Sequence, residues 1–175
     1  MRPGLAWVGL VAACAGARPA VAPPVPAGAG VETTLFLIGD AGAPAPGGEP
    51  VLQALARALE TAAGERLVVF LGDNAYPRGL PDSSSPDRPE MERRLDTQTD
   101  VVLAAGVRGI FLPGNHDWAE HGPDGWDAIL RQERWISGRG APAVTLLPGD
   151  GCPGPSVVDV GSRLRLILLD TQWWL

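Results

Sequence analysis

Lysine is absent from this 175-residue chain, so all 14 basic side chains are arginine, set against 20 carboxylates. A net charge of −6 and a pI near 4.8 leave no basic tract for sequence-independent nucleic-acid binding, and no nucleic-acid partner is expected. A phosphorylated substrate stays compatible with the acidic balance, because bound metal cations would invert the local field. Cysteine is scarce: Cys14 and Cys152 do not make a disulfide framework. Internal repeats are lacking. What is present, 19% charged and 45% hydrophobic residues, is the composition of a globular chain, long enough for one domain with a sizeable core.

Met1 to Ala13 carries one charge, Arg2, and then an apolar run, Leu5 to Ala13. That run suits a signal-peptide hydrophobic region and is too short to span a bilayer. It ends in Val11-Ala12-Ala13-Cys14, which resembles a bacterial lipobox, with small residues before the Cys that receives lipid. Cleavage after Ala15-Gly16-Ala17, a small-x-small site, is the alternative. Either route implies export, to the bacterial cell envelope with lipidated Cys14 at the membrane, or to the periplasm or extracellular space. Residues 1–14 are therefore expected to be a signal peptide with lipobox. Residues 15–30 are an Ala/Pro/Gly linker that cannot bury a core. The folded part is residues 31–175.

Thr34 to Ile38, Leu67 to Leu71 and Ile110 to Leu112 are short continuous apolar runs and are expected to be buried strands. Val51, Leu55 and Leu59 recur at helical spacing with Leu52 and Ala56 beside them, and Pro50 lies in the first turn. Asp87-Arg88-Pro89-Glu90 has the form of a helix start with Asp87 as N-cap, and that helix is expected to run to about Ala105. Trp126, Ile129, Leu130 and Ile136 mark another helix ending near Gly138. Val157–Val160 and Leu164–Leu169 flank Gly161-Ser162 as a β-hairpin. Helices alternating with buried strands give an α/β sheet whose sites form where the strands end.

Each of the three buried strands ends in a Gly followed by metal-capable groups: Gly39-Asp40-Ala41-Gly42, Gly72-Asp73-Asn74-Ala75-Tyr76 and Gly114-Asn115-His116-Asp117. One such Gly-Asp is an ordinary turn; three in order are not. The set resembles the first three motifs of the calcineurin-like metallophosphoesterase superfamily, in its purple-acid-phosphatase branch: GDxG, GDxxY and GNH. Most of that superfamily has a His ligand where Gly42 stands here, whereas the purple branch supplies a Tyr in the second motif, as Tyr76 does. The resemblance covers about Leu35 to Leu175. It implies the N-terminal half of an α/β metallophosphoesterase-type layered β-sandwich flanked by helices (αββα).

It also implies metal-dependent hydrolysis of phosphate esters, as a phosphatase or phosphodiesterase, on phosphorylated small molecules or phosphoproteins. Two cations would clamp the phosphate and lower the pKa of a bound water. By the same resemblance Asp40 binds the first metal, Asp73 bridges both, Tyr76 binds the first metal as phenolate, and Asn115 gives its amide oxygen to the second. A phenolate ligand favours Fe(III), with a divalent Fe, Zn or Mn beside it. His116 is the catalytic group, contacting phosphate or protonating the leaving group, and Asp117 is a hydrogen-bonding support.

Each residue also has an ordinary role open to it: Asp40 and Asp73 as caps or turn formers, Tyr76 as a packed aromatic, Asn115 as a turn residue, His116 as structural. His121 is expected to be solvated. Trp118, Trp126 and Trp135 are expected in the core or a pocket wall. The family pattern continues with three further imidazole ligands, while this stretch has only His116 and His121. The chain is therefore expected to be a fragment, with weak metal binding and negligible turnover by itself, and Trp173, Trp174 and Leu175 on a sheet edge. An SGNH-type esterase needs Ser after the first Gly-Asp, where Ala41 stands. A non-catalytic envelope lipoprotein derived from the same fold is the alternative function.

Overall fold

The computed structural model describes residues 30–175; the signal-peptide and lipobox segment with Cys14 and nearly all of the linker lie outside the described residues. Four parallel strands, β1 (Thr33–Ile38), β2 (Glu65–Phe70), β3 (Arg108–Phe111) and β4 (Val144–Leu146), form a sheet in the order β1-β2-β3-β4. They alternate with helices α1 (Pro50–Thr61), α2 (Arg88–Ala104) and α3 (Gly125–Gly140). An antiparallel hairpin follows, β5 (Ser156–Val160) and β6 (Leu164–Leu168).

Strand β2 shows why the layers stack as they do. Val68 and Phe70 join one buried cluster with Leu52, Leu55 and Leu59 of α1, Leu95 of α2 and Ile129 and Ile136 of α3. Leu67 and Val69, pointing the other way, join a second cluster with Val158, Val160 and Leu168 of the hairpin. The period of two along the strand thus feeds two cores, helices on one face and the hairpin on the other. A strand covered on both faces reads as an unbroken apolar run, as this one does. Phe70 and Phe111, paired in register, stack with centroids 4.3 Å apart.

Several local expectations are corrected. The buried stripe of α1 is Leu52, Leu55 and Leu59, and Val51 is exposed. The cap of α1 is Glu49, whose carboxylate accepts from the Val51 N–H. Asp87 makes no side-chain cap bond to α2, because its own backbone is already helical rather than in the extended conformation that a capping side chain requires. Helix α3 runs two residues past Gly138. Strand β4 has no counterpart among the expected elements. Trp126 is exposed, lying edge-on against buried Trp118 and across Gly151. Trp173 and Trp174 belong to a 3-10 turn after β6, both exposed. Among the described residues no helix is long and apolar enough to cross a membrane.

Candidate metal centre at the strand ends

Because β1, β2 and β3 run parallel, their carboxyl ends share one edge of the sheet, and the three motifs meet there. Asp40 and Asp73 directly follow the Gly that ends each run, and both take left-handed backbone conformations, φ 57° and 58°. Such geometry is uncommon outside Gly and costs about 1–3 kcal/mol, so its presence at both positions marks a place where side-chain direction outweighs backbone comfort. The Tyr76 hydroxyl sits between the two carboxylates, 2.8 Å from Asp40 Oδ1 and 3.0 Å from Asp73 Oδ2. Burial, then the hydrogen bonds to Asp40 and Asp73, hold the phenol well above its ordinary pKa. Three oxygens from two strand ends therefore converge around one proton.

The backbone is crowded where they meet. A Cβ on Gly42 would overlap the Asp73 carbonyl, so no side chain, His included, fits at that position without moving the loop. A Cβ on Gly114 would overlap the Asp73 carboxylate. Asp73 Oδ1 also accepts the His116 backbone N–H at 3.2 Å.

His116 lies against Tyr76 with ring centroids 4.1 Å apart. Its Nδ1 is 2.7 Å from the Pro77 carbonyl oxygen, which can only accept, so Nδ1 carries a proton. Glu120 Oε1 is 3.6 Å from the same nitrogen. Asn115 is half-buried in the turn after β3, where its carbonyl accepts from the Glu120 N–H. Its side-chain amide makes no hydrogen bond among the described residues. His121 is exposed, as expected.

Behind the site, Asp117 is fully buried and ties the second and third motifs together. It accepts from the backbone N–H groups of Asn74, Ala75 and Gly114 at 3.0, 3.0 and 2.8 Å, and from the side chains of Asn74 and Gln132 at 3.0 and 3.1 Å. Burial pushes its pKa up to about 6, opposed by those donors. Gln98 donates to the Asn74 carbonyl at 2.8 Å. Asn74, Gln98 and Gln132 are the participants that motif reasoning misses. Nearby, Asp170 accepts from the Trp118 indole N–H at 2.7 Å, and burial raises its pKa.

Among the described residues no group of three or more His, Cys, Asp and Glu side chains is placed so that it could hold a metal ion, so the cluster depends on the phenol oxygen as its third donor. No family model, curated protein or solved structure matches the chain.

Proposed function

We propose that the chain is the N-terminal part of a metallophosphoesterase-type αββα fold, and that the fold hydrolyses phosphate esters with a dinuclear metal centre. The order helices, parallel sheet, hairpin is consistent with half of such a sandwich. The observation that carries the functional reading is the convergence of Asp40, Asp73 and Tyr76 oxygens at adjacent strand ends. Three hard oxygens around one shared proton form a donor set suited to a hard cation, which would take the place of that proton.

Asp40, Asp73 and Tyr76 would hold the first cation, Fe(III), and Asp73 with Asn115 would contribute to the second, a divalent Fe, Zn or Mn. Bound there, the cations would polarise the phosphate and neutralise charge developing on it. His116 would serve the leaving oxygen. Since Nδ1 keeps its proton against Pro77, the proton that comes and goes is the one on Nε2. A cavity of about 310 Å³ lies between the loop after Tyr76 (Pro77, Pro81) and the turn after His116 (Ala119, Pro123), but Asp40, Asp73, Tyr76, Asn115 and His116 do not line it, so it carries no part of this reading. Export, with Cys14 as a lipid anchor, is part of the same proposal and rests on the Val11–Cys14 motif.

The test is an absorption spectrum of the chain titrated with Fe(III), alongside hydrolysis of p-nitrophenyl phosphate with added Zn(II) or Mn(II). A visible charge-transfer band lost in Tyr76→Phe, with any hydrolysis lost in Asp73→Asn, is expected. A chain that calorimetry shows to bind none of these metals would overturn the proposal.

A further inference from the structure

We propose that Glu90, on the first turn of α2, is a positioning residue that ties together the loops carrying Asp40 and Tyr76 and so sets the spacing of the candidate metal ligands. This inference rests on the metal-site reading above.

Glu90 holds two adjacent arginines. Arg93 meets it with two parallel bonds, Nε to Oε2 and Nη2 to Oε1, each 2.7 Å. Arg94 Nε donates to Oε1 at 2.8 Å. An arginine held by a bidentate carboxylate has little freedom left to reorient. The remaining N–H groups go in two directions. Arg93 Nη2 donates to the Pro44 carbonyl at 2.9 Å, in the loop that leaves Asp40. Arg94 Nη1 donates to the Tyr76 carbonyl at 2.9 Å. No backbone N–H among the described residues reaches either carbonyl, so the guanidinium groups are their partners.

Surface ion pairs at i,i+3 and i,i+4 ordinarily support only their own helix. Two features set this one apart. Both guanidinium groups reach across to loops rather than to solvent, and the two loops are the ones whose side chains meet at Asp40 Oδ1 and the Tyr76 hydroxyl. Two direct backbone bonds, from Asp40 N–H to the Gly72 carbonyl at 3.2 Å and from Tyr76 N–H to the Gly42 carbonyl at 3.1 Å, also join these loops at their inner ends. The fork on Glu90 braces them from outside. Loss of the carboxylate leaves both guanidinium groups free to swing, and both loops lose their brace together.

The experiment is an amide ¹H–¹⁵N spectrum of the chain and its variants, with urea midpoints measured in parallel, followed by Fe(III) titration. Arg93→Ala is expected to shift amides near Asp40 and Gly42 while sparing Tyr76. Arg94→Ala is expected to do the reverse, and Glu90→Ala to shift both sets. Glu90→Gln, which keeps one acceptor oxygen, should give smaller shifts in the same directions. In urea-free buffer, where the amide dispersion shows the variant folded, Fe(III) affinity in Glu90→Ala should fall about tenfold, the lower end for groups that orient metal ligands. Site amides that stay in place in both Glu90 variants, with shifts confined to α2, would overturn the inference. If the amide pattern appears but the wild-type chain binds no Fe(III), the brace stands and the metal-site reading fails.

Discussion

Replacing Asp117 with Ala tests whether one buried carboxylate holds the second and third strand ends together. Truncation strands the N–H groups of Asn74, Ala75 and Gly114 and the Gln132 amide, while the Asn74 side chain keeps the Leu112 carbonyl as acceptor. A buried donor without a partner costs about 1–3 kcal/mol. The wild-type carboxylate carries a cost of its own that truncation removes. Its pKa stands at about 6 instead of 3.8, which amounts to roughly 3 kcal/mol at neutral pH. Water entering the vacated space satisfies some of the stranded donors. The balance is a loss of about 3–5 kcal/mol, as for breaking a buried charged pair, and a large part of a typical domain's stability. Urea unfolding followed by tryptophan fluorescence reads this as a lower midpoint at constant slope. Asp117→Asn, which keeps shape and one acceptor oxygen, should lose about half as much. A loss under about 1 kcal/mol in Asp117→Ala, the size of an ordinary point-mutant effect, would refute the reasoning, and would mean that sheet packing alone sets the strand ends.

Acidification should reveal two carboxylates of opposite sign. The folded pKa of Asp117 is raised, so its stabilising contribution is full below 3.8 and is lost as pH rises through about 6; the advantage of wild type over Asp117→Asn should therefore grow as pH falls across that window. The pKa of Glu90 is held down at about 2 by Arg93 and then Arg94, so its contribution is present above 4.5 and lost as pH falls toward about 2; Glu90→Gln should flatten that acid limb in a pH series of urea midpoints. Gly114→Ala should cost about 1–3 kcal/mol by overpacking, because the new Cβ overlaps the Asp73 carboxylate, and it should weaken Fe(III) binding as well; unchanged stability and affinity in calorimetry would show that the turn yields freely.

The fold was legible where burial on both sides wrote an unbroken apolar run, as in β2, and obscure where an element was too short to carry a period. Strand β4 has three residues, set between Pro142 and Pro148, and its pairing with β3 rather than any local pattern makes it a strand. The outward faces were harder. Val157 and Ile167 pair across the hairpin and are both exposed, so apolar character there says little about which side is inward. Within the candidate site, Asp40, Asp73, Tyr76 and His116 could be found from motif order, and the structure brings them into contact. Gln98 and Gln132 could not be found that way, since a helical glutamine is by default on the surface. Yet a signal was there. Gln98 stands three residues after Leu95 and four before Val102, and Gln132 stands three after Ile129 and four before Ile136. Both sit inside a buried stripe, both are fully buried, and both donate into the Asn74–Asp117 network. An amide placed where helical periodicity demands an apolar side chain needs a buried acceptor, since otherwise its desolvation is uncompensated. Two such amides on neighbouring helices therefore point to a shared polar centre beneath the strand ends, which motif order alone does not reveal.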